Sequence, residues 1–261
     1  MLTGIDHLIL AVDSPDDAAA TVEQQLGLRS TGGGRHDALG THNRLIWLGD
    51  SYLELMGVFD EDLAARSWWG SYVRRLLADR GVGLAGVVLA SDDLAVDVVG
   101  LRAGGSSLGE PQPGQRSRPD GRLVRWQAAR PERPDSDLGL AFLIEHDTAA
   151  AEWTPDERSA RATEIHPMGT AARLLRVEVP VSDVRAAQMR IHRNLGVAFR
   201  PSLAGGGARD GSIGRQVLRL LRVGSRPLIA IGGGRAEREL ELLGCRWLIA
   251  PRRAGTSSAR G

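Results

Sequence analysis

The chain has no lysine. All thirty-three of its basic residues are arginine, which we read as the codon bias of a GC-rich genome and not as a functional signature. It has a single cysteine, Cys245, so an internal disulfide framework is excluded and the usage fits a reducing, cytoplasmic setting. With no histidine near it in sequence, Cys245 reads as an inert thiol. No apolar run approaches the roughly 18 residues of a membrane span. The opening residues, Met1 to His7, have neither the basic region nor the apolar core of a signal peptide, so no membrane partner is expected. Phosphate loops are missing too. Gly32-Gly-Gly34 and Gly205-Gly-Gly207 are followed by neither Lys-Ser/Thr nor the start of a helix, and read as flexible strand breaks.

What is present is ordinary in bulk. The 261 residues, 42% hydrophobic and 25% charged, suffice for one large domain or two smaller ones with real cores. The net charge of +1 is unevenly spread: residues 1–62 hold eleven acids against three Arg, residues 200–261 twelve Arg against four acids. Those Arg stand singly in strand-like and tail segments with few aromatics, so a solvated surface is expected and a nucleic-acid partner is not.

The strongest organisational signal is repetition. Gly4 to Val12 reads as a strand, apolar on both faces. Ser14 as N-cap and Pro15 at the first helical position open a helix that runs to Leu26 and is closed by Gly27. A strand near Leu28–Thr31 and a hairpin follow, giving the order β-α-β-β-β. Trp68, Trp69, Tyr72, Val73, Leu76 and Leu77 recur at helical spacing in the connector. The pattern then restarts: Gly83 to Leu94 lies on Gly4 to Pro15 without a gap. Its strands are expected near Ser107–Leu108, Leu123–Ala128 and Leu138–His146, with a polar loop through Arg116 to Gly121. A third copy starts near Leu174, with a helix to Asn194 and strands at Val197–Leu203, Arg215–Val223 and Arg226–Ile231. The expected organisation is module 1 with its connecting helix over 1–80, module 2 over 81–147, a linker over 148–171, a third module over 172–232, and a short helix with a disordered tail over 233–261.

Inside the first hairpin, Gly40 to Gly57, one residue is out of place. Tyr52, Glu54 and Met56 share one strand face, and a carboxylate in so apolar a strand costs several kcal/mol unless it is paired, protonated or bound to a metal. Glu54 therefore faces either a polar cavity or solvent. His7 shares a face with Ile5, Ile9 and Ala11, leaving Leu8, Leu10 and Val12 for the helix. His42 and Arg44 alternate with Ile46 and Leu48 on the neighbouring strand. Arg44 either forks onto an anionic or oxygen-rich ligand or pairs with Glu54 across the hairpin.

Tandem β-α-β-β-β units carrying Gly4-Ile-Asp-His7, Gly40-Thr-His-Asn-Arg-Leu45, Tyr52-Leu-Glu-Leu55, Arg118-Pro-Asp-Gly121 with Trp126, and Phe142-Leu-Ile-Glu145 resemble the vicinal-oxygen-chelate superfamily, most closely its glyoxalase-like branch. The resemblance covers roughly residues 2–232. It implies an α+β fold in which the first two modules pair into a cup-shaped curved sheet, with the third related module at the C-terminus. It also puts His7 and Glu54 side by side in the cup as half of a metal site, with Glu145 as the matching ligand from module 2. The other implied contacts are His42 as a further ligand or base, and Asn43, Arg44, Arg125 and Trp126 for the bound molecule. Imidazole and carboxylate suit Zn, Fe, Mn, Co or Ni. The position matching His7 in module 2 is Gly86, which ligates nothing, so substitutes would have to come from His42, His36 or His146, or the site holds no metal. Two functions stay open: a metal-dependent lyase, isomerase or dioxygenase, or a metal-free protein that binds, sequesters or senses a small molecule. The third module has no partner in this reading. It packs either as an accessory layer or against a second copy in a homodimer.

Overall fold

The computed structural model describes residues 1–251; the tail beyond, 252–261, where disorder was expected, lies outside the described residues. Module 1 consists of β1 (Leu2–Ala11), α1 (Pro15–Leu26), β2 (Gly32–His36), β3 (Thr41–Leu48) and β4 (Ser51–Val58), and is followed by α2 (Glu61–Arg66) and α3 (Trp68–Arg80). Module 2 repeats the order as β5 (Gly83–Ser91), α4 (Leu94–Ala103), β6 (Gln112–Ser117), β7 (Leu123–Ala129) and β8 (Leu143–His146). A short helix, α5 (Pro155–Ala162), precedes the C-terminal part. That part holds β9 (Arg173–Val181), α6 (Val184–Leu195), β10 (Phe199–Pro201), β11 (Arg209–Ile213), β12 (Gln216–Arg222), β13 (Leu228–Gly234), β14 (Arg238–Leu242) and β15 (Cys245–Pro251).

The helix punctuation works locally. Ser14 accepts a hydrogen bond from the Asp17 amide, Pro15 occupies the first turn, and Gly27 ends α1 in the left-handed region, where glycine has no Cβ to clash. Asp183 and Gly196 frame α6 in the same way.

The first two modules close into an eight-stranded barrel, in the order β1-β4-β3-β2-β6-β7-β8-β5. At its centre β1 runs parallel to β4 and antiparallel to β5, with Ile9 opposite both Glu54 and Gly86. The seam lies at the glycine triplet, which is a strand and not a break. There β2 meets β6 through the Arg35–Ser117 pair. A Cβ on Gly34 would stand 2.1 Å from the Ser117 carbonyl and one on Gly33 2.4 Å from the Asn43 carbonyl, so only glycine lets the strands approach. Two expected strands of module 2 also shift. The polar stretch Gln112–Ser117, expected in part as loop, pairs with β7, while residues 138–142 are irregular and only 143–146 are strand.

The outer barrel face and the C-terminal part share one core. Leu8, Leu10 and Val12 join Val22 and Leu26 of α1, and the cluster continues through Val177, Val179, Ile229 and Trp247. Inside the barrel, Ile9, Ala11, Met56, Val88, Phe142 and Ile144 pack with Val73 of α3.

The C-terminal part is one seven-stranded sheet, β10-β11-β12-β9-β13-β15-β14. Here β9 is parallel to β12 and antiparallel to β13, the same arrangement that β1 makes with β4 and β5. Residues 226–231, expected to finish the third module, thus begin a shortened fourth unit without a helix. The short helix expected after residue 232 is a β-hairpin. Arg238-Glu-Leu-Glu-Leu242 alternates with period two, and Leu243 and Gly244, at φ 48° and 70°, form the doubly left-handed turn that such hairpins favour. β13 of the same chain pairs with β9, the first strand of the third module. Among the described residues no helix is long and apolar enough to cross a membrane.

Candidate functional site

The barrel interior is a cup whose wall carries nearly all the chemistry in the molecule. Glu54 sits on β4 with Tyr52 and Met56, and β3 contributes Asn43, Leu45 and Trp47. Into this space β1 projects His7, through a local irregularity: the β1–β5 register slips between Ile5 and His7. Such a bulge lets consecutive side chains turn to one side. Asp6 accordingly accepts a hydrogen bond from His7 Nδ1 at 2.6 Å and from His146 Nε2 at 3.1 Å. On the far side of the ring, His7 Nε2 faces Glu54 Oε2 at 3.4 Å, and Asn43 Nδ2 donates to Glu54 Oε1 at 2.5 Å. Tyr52 stacks on His7 with centroids 4.5 Å apart.

Asp6, His7 and Glu54 are 2%, 3% and 5% exposed, so their charges stand only by mutual support. Burial works against ionisation of Glu54, but the His7 hydrogen bond and charge outweigh it and hold its pKa down to about 2. Burial likewise opposes a charged His7, yet the hydrogen bonds and charges of Asp6 and Glu54 raise its pKa to about 9. Asp6 is pushed below the usual carboxylate range by the two histidines, against the pull of desolvation. Around neutral pH the row is carboxylate, imidazolium, carboxylate. His36, on β2, is different: desolvation lowers its pKa to about 4 despite nearby Glu54, so it is neutral, with Nδ1 3.1 Å from Thr41 Oγ1.

The rest of the wall comes from module 2 and from the segment expected to be only a linker. Arg116 of β6 is 4% exposed; its Nη1 donates to the Gly33 carbonyl at 2.5 Å and its Nη2 to Glu152 Oε2 at 2.6 Å. Residues 147–163 form a strap over the cup mouth. From it Glu152 reaches inward, and Trp153 stacks on His146 with centroids 3.6 Å apart. Beyond the strap, His166 pins the chain to the barrel, accepting from the Arg29 amide and donating to the Trp47 carbonyl. The free space left at the centre is about 40 Å³, room for roughly three waters at 10–15 Å³ each.

Residues 5–195 match the family model described as "Glyoxalase-like domain". The chain belongs to the glyoxalase-like domain family. The crystal structure of a hypothetical protein from Staphylococcus aureus has the same fold almost throughout, with TM-score 0.78 at 15% identity over 96% of this chain and 100% of that one. A Streptomyces coelicolor methylmalonyl-CoA epimerase covers 56% of this chain and 98% of its own, with TM-score 0.43 and 21% identity. The Mycobacterium tuberculosis methylmalonyl-CoA epimerase covers 55% and 88%, with TM-score 0.41 and 23% identity. No curated protein matches in sequence.

Within this glyoxalase-like cup, the sequence candidates separate. His7, Glu54, Asn43 and Trp126 line it together. His42 and Arg44 do not: they lie on the helix face of β3, where Arg44 pairs with Asp16 and the His42 ring meets Phe59. Alternation puts Asn43, and not its neighbours, beside Glu54. Arg125 points outward, exposed, between inward Val124 and Trp126. Glu145 also faces away, because Ile144 and His146 of β8 point inward together with Phe142 just before it; its carboxylate instead accepts the Leu94 amide at the start of α4. Gly86 packs against residue 140, whose carbonyl would lie 2.4 Å from a Cβ there, so backbone fills the place that a second ligand was expected to take.

The donors present do not fit a resident metal. A zinc-type site needs at least three protein ligands converging on one point. Here His7 Nε2 addresses Oε2 of Glu54, whereas His36 Nε2 stands 4.0 Å from the other oxygen, Oε1. Among the described residues no three His, Cys, Asp or Glu side chains are placed to hold a metal ion.

Proposed function

We propose that the cup binds a small, flat, oxygen-bearing molecule directly, without a metal. The observation that carries this reading is a pair of buried polar atoms left without partners, Asn43 Oδ1 and His146 Nδ1, both on residues lining the cup. An unsatisfied buried polar atom costs about 1–3 kcal/mol, a cost that a bound hydroxyl or N–H removes. The walls suit a flat ring: Trp47, Tyr52, Trp69, Trp126, Phe142 and Trp153 all line the cavity, and aromatic faces pack well on planar ligands.

A proton-transfer lyase or isomerase using His7 as acid and Glu54 as base is less well supported. A general base works best with a pKa near the operating pH, and Glu54 is held down to about 2. Metal-dependent chemistry, dioxygenase included, requires a third converging donor at the His7–Glu54 pair.

The test is a titration of the purified protein with phenol, followed by tryptophan fluorescence, alongside elemental analysis. Saturable quenching that weakens at least tenfold in Glu54→Gln supports the reading. No saturable change in the wild type contradicts it, and stoichiometric metal that disappears in Glu54→Gln overturns the metal-free part.

A further inference from the structure

Every buried side-chain polar atom without a partner among the described residues lies in the cup wall or in the strap above it: Asn43 Oδ1, His146 Nδ1, and Nε and Nη2 of Arg161. The strap is a poorly satisfied cover. Arg161 lies 3.9 Å over the Trp47 ring and gives one N–H to the Glu152 carbonyl, while its other two buried nitrogens make no hydrogen bond. Glu152 adds strain. Among the described residues it is one of two non-glycine residues with positive φ, at 70°, a conformation that costs any residue with a Cβ. Residues 147–149 and 155–156 of the strap are exposed, whereas Glu152, like Ala150 and Trp153 beside it, is buried, at 5% exposed.

The bent backbone delivers one carboxylate to Arg116. A buried guanidinium needs an anion, and the only other hydrogen bond Arg116 makes among the described residues is to the Gly33 carbonyl. Glu152 meets Arg116 through Nη2 alone, short of the two-point fork that a guanidinium offers a free carboxylate.

We propose that Glu152 is a built-in stand-in for a ligand carboxylate. The cup takes a small hydroxylated aromatic carboxylate, whose carboxylate replaces Glu152 on Arg116 while its hydroxyl meets the Asn43–Glu54 end. Binding displaces Glu152 from Arg116, so that in the empty cup the anion seat is held by the chain's own side chain. This inference rests on the reading of the cup as a small-molecule site and adds the ligand class and the self-occupied seat.

The probes are 4-hydroxybenzoate, its neutral counterpart 4-hydroxybenzamide, and phenol, titrated by tryptophan fluorescence and thermal shift against wild type, Glu152→Gln and Glu152→Gly. Glu152→Gly relieves the left-handed residue and guards against a Glu152→Gln protein too unstable to use. Both variants are expected to bind 4-hydroxybenzoate at least tenfold more tightly than wild type, with affinity for the amide and phenol changed less than threefold. Both are expected to melt lower than wild type and to be restored by 4-hydroxybenzoate but not by the amide. Equal gains for acid and amide would mean that the strap has merely loosened, and would overturn the proposal. No gain for the acid, with phenol still bound, would show that the Arg116–Glu152 pair is structural, and leaves the cup reading standing. Failure of every probe on every variant removes both.

Discussion

The barrel and the C-terminal sheet are built from the same module and differ in closure. Counting back from their N-caps, Ser14 and Asp183, His7 corresponds to Arg176. Through the strand register, Ile9 opposite Glu54 corresponds to Glu178 opposite Arg219. In the open sheet these positions form a partly buried ion network: Arg176 and Arg219 meet Glu178 at 2.7 and 3.1 Å, and Arg219 meets Asp210 at 2.7 Å. In the closed barrel they form a buried row of alternating charge. One backbone plan thus gives a surface network where the edges stay apart and a charged cavity where β2 meets β6. Closure, more than the module itself, makes the site.

The largest difference should appear on removing one member of each set. Breaking a fully buried pair costs about 3–5 kcal/mol, and solvent access lowers that cost. Glu54→Ala should therefore lose several kcal/mol of stability in urea denaturation and Arg219→Ala, in its partly buried network, clearly less. Equal losses would break the comparison.

Next comes pH. His7 is raised from 6.5 to about 9 on folding, so its contribution is complete below pH 6.5 and is lost as the pH rises through 9. That rise corresponds to a loss on the order of 3 kcal/mol. Glu54 is lowered from 4.5 to about 2, so its contribution is present above pH 4.5 and lost as the pH falls through 2. Stability should peak between about pH 4.5 and 6.5. The alkaline decline should flatten in His7→Gln and persist in Arg176→Gln, as followed by melting temperature against pH.

A smaller contrast concerns the two glycine triplets. Gly34→Ala drives a Cβ into the Ser117 carbonyl at the seam and should cost about 3 kcal/mol. Gly206→Ala meets nothing within 4 Å but keeps φ at +60°, and should cost about 1 kcal/mol. Similar values for both would argue against a sterically tight seam. The smallest effect is expected for Glu145→Gln, which weakens the cap on α4 by about 1 kcal/mol and leaves phenol binding unchanged.

Much of the fold was legible because its signals are local. Ser14-Pro15, Gly27, Asp183 and Gly196 mark helix ends wherever they stand, and the ungapped match of residues 83–94 to 4–15 reveals the repeat. The hairpin at 238–251 carries a helix-like signal in sequence because its alternation is brief and charged. In the site, Glu54 stood out as a carboxylate in an apolar strand, and His7 by its face. Asp6 was invisible because a bulge, set by pairing with β5, turns it inward against its strand phase. Arg116 and Glu152 looked like solvated loop and linker charges; only barrel closure and the strap bury them against each other. Glu145 and His42 were placed by family resemblance at a phase that β3 and β8 do not adopt.

The account turns on the closed cup holding His7 as a charged ring between two carboxylates. Nitrogen NMR of histidine-labelled protein, titrated from pH 5 to 10 with His7→Gln to assign the signal, measures that directly. The account predicts an imidazolium at pH 7.5 that loses its proton near pH 9. A His7 ring already neutral at pH 7.5 would contradict it.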